Sequence, residues 1–203
     1  GKVSAGGGGG GRGGAVGSGV WAQGEAGGTG GGAVVYPLVL GGSAPTLSPL
    51  TEALLFSAAR AQLVDEVIRP RIERGEIVLC DRYADSTLAY QGYGRGLDLA
   101  FLRRLQAEVL SGLQPRLTLL LQLPVETGLA RIPSTVQDRL DRETVAFHQR
   151  VSAGYRQMAL EEPDRWREVD ASALPDEVAA SIFEHVNRAL QQAGIRPAQR
   201  RTA

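Results

Sequence analysis

Along the chain, stretches whose apolar residues recur every three or four positions alternate with short runs that are apolar throughout. Leu54, Leu55, Ala58, Ala61, Val64, Val67, Ile68 and Ile72 follow the first pattern. They predict a long amphipathic helix opening at Ser48-Pro49, with Pro70 as a late kink. Ile77-Val78-Leu79-Cys80, bounded by Gly75 and by charge, predicts a short buried strand emptying into a polar loop. Phe101, Leu102, Leu105 and Val109 predict a helix over 98–110, broken by Pro115. Leu117-Thr118-Leu119-Leu120-Leu121-Gln122-Leu123 is the clearest buried strand, closed by Pro124, and a short helix follows over 125–131. A helix over 143–160 carries Phe147, Val151 and Tyr155 on one stripe. After the short strand Val169-Asp170-Ala171, a last helix over 175–192 spaces Val178, Ile182, Val186 and Leu190 by four. Strands alternating with helices through short links imply an α/β chain with a mostly parallel sheet covered on both faces.

Composition changes this picture mainly at the start. Residues 1–32 hold 17 of the 27 glycines in a chain of 203 residues, including the unbroken run Gly6 to Gly11. Each glycine inside a helix costs about 1 kcal/mol relative to alanine, so no helix is expected through that run. Three segments are therefore expected: a glycine-rich segment 1–45, flexible when read by itself, one folded domain 46–192 with order beginning near Leu47, and a basic tail 193–203. A formal net charge of zero argues against a nucleic-acid surface. Cys80 is the only cysteine, which excludes an internal disulfide and a multi-cysteine metal site and fits a reducing, cytoplasmic compartment. No apolar run approaches the roughly 18 residues that span a bilayer, and the start lacks a signal pattern. Lys2 is the only lysine among many arginines.

The densest candidate chemistry follows the strand at 77–80, because loops at strand C-termini are where open α/β sheets keep ligands. Asp81, Arg82, Ser86, Tyr90 and Gln91 suit an anionic, planar, hydrogen-bonding ligand: Arg82 for a phosphate, Tyr90 and Gln91 for a base or sugar, Asp81 for a hydrated metal. The same residues also suit a solvated turn after a core strand. Phe56 and Arg60 stand four apart on one helix face and are able to sandwich and hydrogen-bond a base, or are a core ring beside a surface cation. Residues 132–142, polar and broken by Pro133, form with Arg131, Arg139 and Arg142 a candidate mobile basic flap, and arginines on a flap neutralise a transferring phosphoryl group when they are not merely solvated. His148 and His185 lie mid-helix and far apart, and read as structural or surface residues.

The ordered set Ser48 to Gln62, Asp81 to Gly96, 117–124, Asp138-Arg139, Ala146-Phe147-His148 and Val169-Asp170-Ala171 resembles bacterial thymidylate kinase over about residues 46–186. That resemblance implies a P-loop NTPase-type nucleoside monophosphate kinase fold, with a parallel sheet flanked by helices on both faces. It also implies ATP-dependent, magnesium-assisted phosphorylation of thymidine 5′-monophosphate to the diphosphate in dTTP biosynthesis, by a cytoplasmic homodimer. Under it, Phe56 stacks on thymine, Arg60 bonds the base's carbonyl edge, and Arg82 holds the acceptor phosphate. Asp81 serves the magnesium and phosphate region, Ser86 and Gln91 line the base pocket, and Tyr90 sits against the deoxyribose. Arg139 and Arg131 belong to the lid over the ATP phosphates.

The family's P-loop, G-x-x-x-x-G-K-[ST], is absent as a complete motif. Gly1-Lys2 stands about as far before Glu25-Ala26-Gly27-Gly28-Thr29 as the family's Gly-Lys stands before R-E-P-G-G-T. The expectation is that the chain begins inside the P-loop, with Lys2 at the ATP phosphates; Lys2 is otherwise an incidental tail lysine. Val3 replaces the magnesium-binding hydroxyl, Gly24 the phosphate-clamping arginine, Ala26 the proline, Gln122 an acid and Asp141 a glutamate. Two further readings stand beside the kinase: a non-catalytic thymidylate-binding protein with a defective ATP site, and a deoxynucleoside kinase, which a 5′-phosphate clamp at Arg82 argues against.

Overall fold

The computed structural model describes residues 20–24, 29–41 and 46–195. Lys2, the glycine run, Glu25 to Gly28 and most of the basic tail lie outside these residues. The first described element is a strand, β1 (Val20–Gly24), followed by α1 (Gly30–Leu40). Ordered structure thus begins well before Leu47, for two local reasons. Thr29 caps α1 by accepting the Gly32 N–H at 2.9 Å, and β1 is held by pairing with a distant strand.

Ser48 caps α2 (Pro49–Leu63), with Pro49 in the first turn, where its missing N–H has no partner to lose. The helical path then widens over Val64–Ile68, where the Arg69 N–H reaches back five residues to the Val64 carbonyl, before α3 (Arg69–Glu73). Where a kink was expected at Pro70, the helical path instead carries this wider turn just before the proline and continues through it as α3.

β2 (Ile77–Asp81) runs parallel to β1, with Val20 opposite Ile77 and Gly24 opposite Asp81. The segment after β2, expected as a loop, is instead helical. It forms one turn, α4 (Ala84–Thr87), and then a π-helical stretch over Leu88–Gly94. Asp98 caps α5 (Leu99–Leu110) through the Ala100 and Phe101 N–H groups. β3 (Thr118–Gln122) leads through α6 (Val125–Ala130) and a 3₁₀ turn at Ser134–Val136 to α7 (Val145–Glu161). β4 (Trp166–Asp170) starts three residues before the expected strand and pairs parallel with β3, Gln122 opposite Asp170. α8 (Pro175–Gln192) closes the described chain.

Among the described residues the strands form two parallel pairs, β1 with β2 and β3 with β4. The fold is α/β and parallel as expected, although β2 leaves Leu79 exposed and β3 is half-buried throughout. The larger core gathers Ala89, Leu140, Phe147, Val151, Met158 and Trp166, with Phe56, Tyr90 and Tyr155 packed against it. A second core joins Leu63, Val64, Ile68, Ala84 and Leu110. Close approach of the π-helical stretch to α7 requires glycine on both sides. A Cβ on Gly94 would lie 2.7 Å from the Phe147 ring, and one on Gly154 would lie 2.5 Å from Tyr93.

Candidate functional site

Four segments converge on one region: the buried face of α2, the end of β2 with the helical stretch behind it, the turn over 138–143, and α7. At the end of β2, Arg82 adopts a left-handed backbone, φ 70°, which costs a non-glycine residue about 1–2 kcal/mol. Backbone strain of this kind persists only where the surroundings enforce it, and it clusters at functional sites. Its guanidinium lies 5.0 Å from the Tyr90 ring centroid. Crowding around that guanidinium pulls its pKa down, but the Tyr90 and Tyr155 phenols and Asp81 outweigh this and leave it above the ordinary value.

An aromatic wall stands behind Arg82. Tyr90 meets Phe147 and Tyr155 edge-on, with centroids 6.1 and 6.5 Å apart. Ser86 and Tyr155 share a hydrogen bond of 2.7 Å, and burial pushes the Tyr155 phenol well above its ordinary pKa. The next residue back, Asp85, is clamped in bidentate fashion by Arg165 at 2.8 and 2.9 Å, and Arg165 also donates to the Thr118 hydroxyl at 2.8 Å. This ties the segment behind β2 to the start of β3.

Arg60 is 1 % exposed and donates from one nitrogen to Thr87 at 2.9 Å and to Gln106, whose amide in turn donates to Ser57 at 3.0 Å. It is thus a buried, oriented cation rather than the surface residue that its isolated spacing allows. Phe56, half-buried, packs against the larger core beside Tyr90.

Gln91, also 1 % exposed, donates to Oε1 of Glu52 at 2.7 Å. Glu52 is a buried carboxylate that accepts in addition from Arg95, at 3.3 Å to each oxygen, and from Arg139. Arg139 donates a second time, to the Val39 carbonyl at 2.8 Å, so the flap arginine is fastened to α1 and α2. Arg131 is fastened elsewhere, to the Ala171 carbonyl at 3.3 Å. Asp81 stands exposed at the tip of β2.

Burial pushes the Glu52 carboxyl up, and the hydrogen bonds from Arg139, Gln91 and Arg95 outweigh it, so its pKa lies below the ordinary 4.5. A folded value below the unfolded one contributes stability that is complete above pH 4.5 and is lost as the pH falls through the folded value. Thermal melts at pH values descending from neutral should therefore show a steeper loss below pH 4.5 for the wild-type chain than for Glu52→Gln. Parallel curves would show that Glu52 does not set this acid sensitivity.

Glu52, Thr87, Arg95, Gln106 and Tyr155 were not singled out from the sequence. Weak signals existed for two of them: Glu52 repeats by four with Phe56 and Arg60 along one face, and Gln106 is a polar residue four beyond Leu102 on an apolar stripe. His148 and His185 remain apart, each partly buried within its helix. A cleft of about 480 Å³ opens at the C-terminal ends of β3 and β4, lined by Gln122, Glu126, Gln149, Arg156 and Asp170. None of the residues expected at the site lines it.

Residues 15–182 match the family described as thymidylate kinase. The chain is 51 % identical over 170 residues to a thymidylate kinase of Thermomicrobium roseum, covering 83 % of this chain and 80 % of that one. It is likewise 51 % identical over 164 residues to a thymidylate kinase of Deinococcus radiodurans, covering 80 % and 79 %. Among solved structures, a thymidylate kinase from Ehrlichia chaffeensis superposes with a TM-score of 0.65 at 27 % identity, covering 82 % of this chain and 79 % of that chain.

Proposed function

The chain belongs to the thymidylate kinase family, and on that premise we propose which of its residues carry each part of the family's reaction. The reaction is ATP-dependent phosphorylation of thymidine 5′-monophosphate to the diphosphate. An oxygen of the acceptor's 5′-phosphate attacks the γ-phosphorus of ATP, the bond to the β-phosphate oxygen breaks, and ADP leaves. Little covalent chemistry falls to the protein, so its work is positioning and charge neutralisation.

Arg82 holds the acceptor phosphate. The observation that carries this assignment is its strained left-handed backbone at the tip of β2, with the guanidinium backed by Tyr90. A planar guanidinium engages phosphate oxygens in bidentate fashion. Phe56 offers a ring to thymine. Arg60, its direction fixed by Thr87 and Gln106, bonds the base carbonyl. Ser86 and Gln91 line the base pocket, and Tyr90 faces the deoxyribose. Arg139 and Arg131 serve the donor side, and Lys2, outside the described residues, is assigned to the ATP phosphates.

Magnesium is part of this proposal. It binds through one or two carboxylates together with water and phosphate oxygens, so an exposed single carboxylate such as Asp81 is a fitting donor. The described residues contain no cluster of three or more His, Cys, Asp or Glu suited to a metal, and this reaction does not require one. When bound, the ion supplies charge neutralisation on the phosphoryl oxygens. We also propose a homodimer and a cytoplasmic location. No helix among the described residues is long and apolar enough to cross a membrane.

Calorimetric titration of this chain with thymidylate, and separately with ATP and magnesium, followed by a turnover assay on the same sample, tests the proposal. Binding of both ligands with appearance of thymidine diphosphate is the expected result. Thymidylate binding without turnover would favour the non-catalytic reading, which nothing in the fold or the relatives supports. Sedimentation analysis tests the dimer.

A further inference from the structure

Glu52 lies on the same face of α2 as Phe56 and Arg60, yet it is closed off from solvent. Its 1 % exposed carboxylate is surrounded by donors from two other parts of the chain. Gln91 and Arg95 come from the helical stretch that carries Tyr90, and Arg139 comes from the turn over 138–143. Arg95 extends the network to Glu143 at 2.6 Å and lies 4.7 Å from the Phe147 ring centroid. Two carboxylates and two guanidiniums thus balance in charge, and the arrangement joins α2, the stretch behind β2, the flap and, through the Val39 carbonyl, α1.

Stability alone does not account for such a group. A buried ion pair often contributes no more than well-packed apolar residues of the same volume, and in some proteins its role is to select one arrangement of its partners. The Gln91 amide is a case in point. An ionised carboxylate only accepts, so the NH₂ end of Gln91 must face Glu52, and its carbonyl is left to face the other way.

We propose that Glu52 is a positioning residue that holds the acceptor pocket and the flap arginine in one register. It orients Gln91 and Arg139 together, touching neither substrate. For its kinetic consequences the inference rests on the thymidylate kinase reading, and its structural consequences stand apart from it.

Glu52→Gln keeps the shape of the side chain and removes the charge. Backbone hydrogen exchange in the full chain reads the structural arm. The Arg139 and Glu143 amides, bonded to the Leu40 and Leu140 carbonyls, should exchange faster. So should the Arg95 and Leu97 amides, bonded to the Tyr90 and Gln91 carbonyls, with an increase of about tenfold in both groups. Glu52→Asp, which keeps the charge, should restore part of the protection. If Glu52→Gln fails to fold, Arg139→Gln reads the same link from its far end, by faster exchange at Arg95 and Leu97. Change confined to one group overturns the proposal.

The kinetic arm is a KM-against-kcat split. A residue that merely stabilises the fold alters the active fraction, lowering kcat and leaving both KM values alone. A shared positioning role raises the KM for thymidylate and for ATP by about tenfold each in Glu52→Gln. An unchanged KM for either substrate overturns the proposal. Absence of turnover in the wild-type chain would instead refute the kinase reading, and the exchange result would still judge Glu52.

Discussion

Replacing Arg82 with alanine lowers kcat/KM for thymidylate by about 10²–10³-fold, the loss expected when a preorganised charge aimed at a reacting phosphate is removed. Backbone and side chain place this charge together. The left-handed φ of 70° aims the residue out of β2, and the Tyr90 ring backs its guanidinium. Lysine keeps the charge but not the planar fork, so Arg82→Lys should recover only part of the activity. Arg82→Gly separates function from folding: glycine adopts the left-handed region freely, so this chain should melt no lower than Arg82→Ala while remaining as inactive. Steady-state assays with thymidylate varied, beside thermal melts, decide the matter. Near-wild-type kcat/KM in Arg82→Ala would remove Arg82 from the acceptor site.

The largest effect on stability is expected at Gly154. A Cβ there would lie 2.5 Å from two Tyr93 ring atoms and 2.8 Å from the Tyr93 Cβ, which cannot rotate away. Gly154→Val must therefore push α7 off the π-helical stretch and open the core around Phe147 and Val151. Overpacking of this severity costs about 3 kcal/mol or more, which for a domain of this size lowers Tm by about 6–12 °C. A melting curve unshifted by the substitution would show that the two segments are not packed this closely. Activity should fall along with stability, because Tyr90 belongs to the stretch that α7 would be pushed away from and packs edge-on against Phe147 of α7.

The long helices were legible because each must bury one stripe. α2, α5, α7 and α8 all lie where apolar residues recur by three or four, and their caps Ser48, Asp98 and Thr144 are residues suited to that task. β1 was not legible, since Val20-Trp21-Ala22 stands among glycines and gains its order only from pairing with β2. The stretch behind β2 misled in a different way. Gly92, Gly94 and Gly96 read as loop residues, but Gly92 and Gly94 are there to admit Leu99 and Phe147 into close contact with a helical backbone. At the site, Phe56, Arg60, Arg82 and Gln91 were visible as residue types with suitable spacing. Glu52 was not, because an acid in the first turn of a helix already has a sufficient explanation in the helix dipole. Its partners Arg95 and Arg139 lie 43 and 87 residues away, and only the fold brings them together.

The two parallel pairs carry a consequence for the order in which the chain assembles. Parallel strands cannot be joined by a tight turn: β1 reaches β2 only past α1, α2 and α3, and β3 reaches β4 only past α6 and α7. Each pairing therefore closes a long loop whose entropy is repaid only after the intervening helices have collapsed. Until then the backbone N–H and C=O groups that β1 and β2 share in the fold are open strand edges, while Val20 and Leu79 stay exposed even after pairing. α2 lies between the first pair of strands and α7 between the second, so the helices that carry the site are also the segments that must collapse before either pairing closes.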